Sequence, residues 1–131
     1  MILLDSDVMI DLLREYPPAL EWLNSLEEEE EVFLPGYVVM ELIQGCRNKK
    51  EQKTLQKELD LYSILWPLPE DCQVALEIFS QYRLSHNAGL LDVLIGQTAV
   101  SHSLKLYTFN DKHYKFIEEL QTVQPYVKNK Y

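Results

Sequence analysis

The sequence contains only two cysteines, Cys46 and Cys72, and neither stands beside a second cysteine or a histidine at metal-ligand spacing. This scarcity argues against a zinc site and is typical of a protein kept in a reducing cytoplasm. The chain also lacks an apolar run near the roughly 18 residues that a membrane-spanning helix needs. Met1 leads directly into apolar residues without a basic export segment. We therefore expect a cytoplasmic protein with no membrane partner.

An excess of positive charge is absent as well. With 12 basic and 21 acidic residues, the formal net charge is −9, whereas proteins that bind nucleic acid usually carry a basic surface. The charge is unevenly spread, because residues 27–31 are all glutamate while five basic residues lie between positions 47 and 57. The net charge therefore does not exclude a nucleic-acid substrate.

The chain length and the apolar pattern predict one α/β domain, residues 1–131, with an ordinary globular composition of 47% hydrophobic and 25% charged residues. Short apolar runs that end at polar or proline residues are typical of strands in a parallel sheet. Four such runs are present, at 2–4, 31–35, 63–68 and 104–109. Helical spacing predicts seven helices, at 8–15, 19–30, 37–45, 48–61, 71–84, 87–102 and 112–120. This order predicts a three-layer α/β/α sandwich around a parallel sheet of about four to five strands.

Acidic residues stand where such a fold binds ligands. Ligand sites of open parallel sheets lie outside the carboxyl ends of the strands, and Asp5 and the pair Asn110–Asp111 directly follow predicted strands. Asp92 lies in the apolar helical stretch 90–95, where it must pair with a cation, bind metal or be protonated. Glu41 is also flanked by apolar residues.

The surroundings of these acids favour a metal ion. Small residues that leave room for a bound group share the helix face of Asp92: Ala88, Gly89, Gly96 and Ala99. Hard cations such as Mg²⁺ and Mn²⁺ prefer oxygen ligands and keep several waters, so a few carboxylates are enough. Taken singly, Asp5 is equally well explained as a helix cap, Glu41 as a solvated glutamate, and Asn110 and Asp111 as turn residues. The set of positions, rather than any one residue, predicts the metal site.

Three segments resemble the PIN-domain ribonucleases, and within them the VapC-type toxins of toxin–antitoxin systems. The matching segments, in the order that the family has, are MILLDSDVMIDLLR, LPGYVVMELIQGCRN and LSHNAGLLDVLIGQTAVSHSLKLYTFNDKHYKFI. The resemblance places Asp5, Glu41 and Asp92 at the family's metal-binding acids. It places Asn110 at the fourth acidic position, where the adjacent Asp111 is the alternative ligand. The number of metal ions therefore stays open between one and two.

The resemblance also implies a function and partners. It implies a Mg²⁺- or Mn²⁺-dependent endoribonuclease in which metal-activated water hydrolyses RNA, leaving a 5′-phosphate and a 3′-hydroxyl. It further implies a homodimer and a cognate antitoxin that lies across the active-site groove. Ser6 matches the family's hydroxyl residue beside the first acid, whereas Asp7 stands where many members have asparagine.

Lysines at two places are candidates for contacts with RNA phosphates. Lys49, Lys53 and Lys57 recur every four residues and form one helix face, which is equally consistent with a solvated surface. Lys112 and Lys115 lie next to the predicted site in the sequence and are the better candidates.

Two other functions fit parts of the sequence. Asp5-Ser6-Asp7 after a buried strand resembles the opening of the haloacid-dehalogenase-like phosphatases, but the later residues of that class are not evident at the ends of the other strands. A PIN-like module that binds without cleaving is favoured by Asn110 and by the acidic charge. It is disfavoured by three intact acids, which are unfavourable in a fold without a metal.

Overall fold

The computed structural model describes residues 1–128 and contains a five-stranded, fully parallel sheet. The strands are β1 (Ile2–Leu4), β2 (Val32–Pro35), β3 (Ser63–Leu65), β4 (Leu106–Tyr107) and β5 (Thr122–Val123), in the spatial order β3-β2-β1-β4-β5. The helices are α1 (Ser6–Leu13), α2 (Pro17–Ser25), α3 (Gly36–Gln44), α4 (Lys49–Leu59), α5 (Pro69–His86) and α6 (Leu90–Ser101). The predicted fold class is confirmed. The last three residues of the predicted domain, 129–131, lie outside the described residues.

Side chains of the central strand β1 alternate between the two faces of the sheet and divide the core into two halves. Ile2 and Leu4 pack with apolar residues of α1, α2 and α4. Leu3 packs on the other face with residues of α3 and α6. All three β1 side chains are buried, as a continuous apolar run in a central parallel strand requires. Within residues 1–128, no helix is long and apolar enough to cross a membrane.

The predicted helix at 112–120 is wrong. Only Asp111–His113 form a short 3₁₀ helix, and successive turns follow it. The amides of Tyr114, Ile117 and Leu120 each donate to a carbonyl three residues earlier, rather than four as in an α-helix. Tyr114 and Ile117 are buried, so the apolar spacing that predicted a helix arises here from consecutive tight turns packed on the sheet.

The boundary between α5 and α6 also differs from the prediction. Asn87, predicted to begin α6, has a left-handed backbone with φ of 52° and instead terminates α5. Arg83 Nη1 donates to the Asn87 side chain at 3.0 Å and to the Ala88 carbonyl at 2.9 Å. Helix α6 therefore begins three residues later, at Leu90, which changes the surroundings of the acid near its start.

Strand β5 was not predicted from the sequence, because it is only two residues long and begins with threonine. It is an edge strand that pairs only with β4. Its two side chains are partly exposed, so no apolar alternation marks it. Strands this short form only where a neighbouring strand is already in place.

Gly96 of α6 packs directly against the turns that follow the 3₁₀ helix. A β-carbon at Gly96 would lie 2.6 Å from Ile117 Cδ1 and 3.4 Å from Tyr114 Cδ1. We expect Gly96→Val to lower the free energy of unfolding by about 1–3 kcal/mol through overpacking, as measured by urea unfolding. Gly45→Ala is the matched control, because an added β-carbon there meets nothing closer than 3.5 Å. Unchanged stability of the Gly96 variant would contradict this packing.

Candidate active site

Asp5 follows β1 directly and lies at the carboxyl edge of the sheet. It is the N-cap of α1, and its Oδ1 accepts a hydrogen bond from the Ser6 amide at 2.7 Å. Its own amide donates to the Tyr107 carbonyl at 3.0 Å, which ties it to β4. Only 4% of the residue is exposed. Asp5 is therefore both the predicted helix cap and the most deeply buried of the three predicted acids.

Two hydroxyl groups hold the second carboxylate oxygen of Asp5. Thr108 Oγ1 and the Tyr114 hydroxyl each donate to Oδ2 at 2.8 Å. Burial raises the pKa of Tyr114 far above its ordinary value, and the negative charges of Asp5 and Asp92 add to this rise. The phenol therefore keeps its proton and remains a hydrogen-bond donor to Asp5.

Asp7 ties α1 to the end of β4. Its Oδ1 accepts from the Val8 amide at 2.8 Å, and its Oδ2 accepts from the Phe109 amide at 2.8 Å. Burial raises the pKa of Asp7, and the charge of Asp5 raises it further. The side chain thus contributes to the acidic site while its main contacts are structural.

Glu41 projects from α3 towards the same site. It is partly buried, and this burial raises its pKa to about 7. The charges of Asp5, Asp92 and Asp7, in decreasing order, add to the rise. The structure therefore brings Glu41 within electrostatic reach of both other predicted acids, although the three residues come from distant parts of the sequence.

Asp92 lies in the first turn of the largely buried helix α6. Its side chain is 30% exposed, and its Oδ2 lies 3.6 Å from His113 Nδ1. Burial raises the pKa of Asp92, Asp5 acts in the same direction, and His113 and a hydrogen bond from Tyr114 oppose the rise. Asp92 therefore lies in the apolar helix that the sequence predicts, at a partly buried position near its start.

The small residues near Asp92 have different roles from one another. Gly89 borders the carboxylate, since a β-carbon there would lie 2.7 Å from Asp92 Oδ2. Gly96 instead accommodates Ile117, while Ala88 and Ala99 are buried in two separate apolar clusters. Only Gly89 leaves space beside the acid, so the predicted row of small residues is mainly a packing surface.

Carboxylate oxygens are the ligands that hard divalent cations prefer. Among residues 1–128, no group of three or more His, Cys, Asp or Glu side chains is arranged so that it could hold a metal ion without rearrangement. The fit to a divalent cation rests instead on the carboxylate oxygens of Asp5, Glu41 and Asp92 and on the mutual repulsion of their negative charges. A cation among them removes this repulsion, so the residues fit such an ion chemically.

The remaining predicted site residues are exposed at the surface. Asn110 and Asp111 are exposed, and Asp111 lines a separate small pocket with Lys115. The pKa of Glu41 responds to Asp5, Asp92 and Asp7 but not to Asp111. A ligand role for Asn110 or Asp111 stays a prediction, as do the phosphate contacts of the exposed Lys112 and Lys115.

A groove leads from Glu41 between α1, α3 and α4. Its volume is about 710 Å³. Its wall combines apolar side chains of α1, α3 and α4 with charged ones, chiefly of α4: Ile10, Leu13, Leu42, Leu55, Lys50 and Glu58. The predicted lysine stripe of Lys49, Lys53 and Lys57 is exposed on α4 but does not line this groove.

Thr108 and Tyr114 are site residues that sequence reasoning missed. Thr108 lies inside a predicted strand, and its position near the strand end was the available signal. Tyr114 is one of eight tyrosines and fell within the wrongly predicted last helix. Its contact with Asp5 spans 109 positions, which no local pattern can reveal.

Comparisons with known proteins identify the family of this chain. A family model described as "PIN domain" matches residues 2–119. Ribonuclease VapC10 of Mycobacterium tuberculosis is 34% identical over 122 residues, covering 92% of this chain and 91% of that protein.

Two solved structures show the same fold. VapBC-1 from nontypeable Haemophilus influenzae has a TM-score of 0.76 at 22% identity, covering 94% of this chain and 97% of that one. A toxin–antitoxin complex from Klebsiella pneumoniae has a TM-score of 0.72 at 23% identity, covering 98% and 100%. Together with the acidic site at the carboxyl edge of the sheet, the family match and the identity to VapC10 establish that this chain belongs to the PIN-domain family, among its VapC ribonucleases.

Proposed function

We propose that this protein is a Mg²⁺- or Mn²⁺-dependent endoribonuclease that acts as the toxin of a toxin–antitoxin pair. The observation that carries the proposal is the electrostatic coupling of Glu41 to Asp5 and Asp92, which together with burial raises the Glu41 pKa to about 7. Like charges gathered in a partly buried site oppose folding unless a cation compensates them. Family membership supplies the reaction class, hydrolysis of RNA.

In this proposal Asp5, Glu41 and Asp92 hold the ion. A Mg²⁺ or Mn²⁺ bound there would supply Lewis-acid chemistry, which lowers the pKa of a water molecule and neutralises charge on the phosphodiester. The protein contributes orientation, because Asp5 is held by hydrogen bonds from Ser6, Thr108 and Tyr114. The partly exposed Asp92 leaves this edge open to a substrate.

The proposed partners are an RNA substrate, a cognate antitoxin and a second copy of the chain. VapC10 is named a ribonuclease, and the Klebsiella structure is described as a toxin–antitoxin complex. The groove beside Glu41 has an apolar wall and charged residues, which suits a protein segment that covers the site. Homodimer formation and a cytoplasmic location rest on family resemblance.

The two rival functions are weakened to different degrees. A phosphatase of the haloacid-dehalogenase class would use Asp5 as a nucleophile, and the family match speaks against it. A module that binds RNA without cleaving keeps the same acids and differs only in activity. Cleavage of RNA by the purified, antitoxin-free protein with Mg²⁺ or Mn²⁺ separates these functions, and an inactive protein would favour the binding module.

Removing one acid is expected to abolish cleavage without unfolding the chain. Asp92→Asn and Glu41→Gln keep the size of each side chain but remove its charge, so RNA cleavage with Mn²⁺ should fall on the order of 100-fold or more. Asp60→Asn, at an exposed position after α4, is the matched control and should cleave like the wild type. Persistent activity of Asp92→Asn with intact circular dichroism would mean that the site is misplaced.

Stability should depend on pH and on metal through Glu41. An unfolded chain releases the Glu41 proton near pH 4.5, whereas the folded chain keeps it to about pH 7. The folded state therefore binds more protons in this range, so the free energy of unfolding falls as the pH rises from about 4.5 to 7. Because the side chain is partly exposed, we expect Glu41→Gln to gain about 1–2 kcal/mol at pH 8 without metal.

Thermal unfolding at several pH values measures this dependence. Mn²⁺ should raise the Tm of the wild type more at pH 8 than at pH 5.5, because protons compete with metal for carboxylates. Glu41→Gln should reduce both the pH slope and the Mn²⁺ effect, whereas Glu21→Gln, at an exposed position of α2, should change neither. Equal slopes in all three proteins would show that Glu41 is not the group responsible.

A further inference from the structure

One oxygen of Asp5 is fully occupied by protein hydroxyl groups, whereas the other is not. Thr108 and Tyr114 both donate to Oδ2 at 2.8 Å, and a carboxylate oxygen accepts about two hydrogen bonds. Within residues 1–128, Oδ1 accepts only the Ser6 amide, at 2.7 Å. One lone pair of Oδ1 is therefore left for a ligand.

Tyr114 is built firmly into this arrangement. Tyr114 is only 2% exposed, and its ring lies against Gly96. Its hydroxyl donates to Asp5 and also lowers the pKa of Asp92, so a single phenol acts on acids from the end of β1 and from the start of α6. No buried polar side-chain atom among the described residues lacks a partner, and the partner of this hydroxyl is Asp5 Oδ2.

We propose that Tyr114 is a positioning residue of the metal centre: with Thr108 it holds Oδ2 of Asp5 and thereby presents Oδ1 to the divalent cation. This inference rests on the proposed function, since it assumes that Asp5 is a ligand. Asp5 would then offer Oδ1 to the ion, and Tyr114 would act through Asp5 rather than on the ion or the RNA. The tyrosine acts by preventing rotation of the Asp5 carboxylate.

A competing role for the Tyr114 hydroxyl predicts the opposite change in metal affinity. If Tyr114 only occupied a lone pair that the ion would otherwise use, its removal would strengthen metal binding. If it orients Asp5, its removal weakens binding, because the carboxylate can then turn. Hydrogen-bond partners of metal ligands typically affect metal affinity by about 10–100-fold.

The test compares two tyrosine hydroxyl groups that each donate to an aspartate. Tyr114→Phe removes the donor to Asp5, and the control Tyr126→Phe removes the donor to Asp11 Oδ2, which is bonded at 2.7 Å. Free Mn²⁺ is measured by electron paramagnetic resonance with purified, antitoxin-free protein at pH 7.5. We expect the Kd for Mn²⁺ to rise about tenfold in Tyr114→Phe and to stay within about twofold of the wild type in Tyr126→Phe.

Activity gives an independent readout of the same effect. The Mn²⁺ concentration for half-maximal RNA cleavage should rise about tenfold in Tyr114→Phe, while the rate at saturating Mn²⁺ should return to within about threefold of the wild type. Unchanged or tighter Mn²⁺ binding by Tyr114→Phe overturns the inference. If circular dichroism shows that Tyr114→Phe is unfolded, Thr108→Val is tested instead, and we expect the same loss of Mn²⁺ affinity. Unchanged Mn²⁺ affinity of Thr108→Val would also overturn the inference.

Failure of this inference differs from failure of the proposed function. If wild-type protein binds Mn²⁺, Asp92→Asn loses binding and Tyr114→Phe does not, then only the positioning role of Tyr114 is wrong. If the wild-type protein binds no Mn²⁺, or Asp92→Asn binds it equally well, the proposed metal centre itself is wrong and the role of Tyr114 falls with it.

Discussion

The rest of the site depends on the hydrogen bonds that hold the buried carboxylate of Asp5. The Ser6 amide begins α1, Thr108 follows β4, and Tyr114 lies in the turns beyond the 3₁₀ helix. A single side chain near the start of the chain therefore connects to two residues that lie 103 and 109 positions away in the sequence. Because a buried carboxylate without such donors is strongly unfavourable, these contacts constrain where β4 and the following turns can lie relative to β1.

Gathering negative charge at one edge of a sheet opposes folding, and the helices offset part of this repulsion. Asp5 caps α1, Asp7 lies in the first turn of α1, and Asp92 lies in the first turn of α6. Helix N-termini carry partial positive charge and favour anions there. Glu41 lies inside α3 and has no such position, which is consistent with its pKa being raised to about 7. It is the acid for which a cation would change the charge state most near neutral pH.

The parts of the fold with a strong local signal were predictable. Strand β1 is a continuous apolar run, Asp5 follows it directly, and the alternation of strands and helices implied a parallel sheet. The turns after Asp111 were not predictable, because apolar residues three positions apart also suit a helix. The start of α6 was missed because Asn87 has a left-handed backbone and ends α5, a break that apolar periodicity does not express.

The sequence by itself determined the residue types and the order of the acids, because an apolar strand followed by aspartate is a local pattern. Family resemblance then singled out Asp5, Glu41 and Asp92 among 21 acidic residues. Only the tertiary structure decided which acid is most buried and how strongly the acids repel one another. It also decided that the Tyr114 hydroxyl donates a hydrogen bond to Asp5. Burial and electrostatic coupling depend on distances between segments that lie up to 109 positions apart. A linear sequence carries no direct record of such distances.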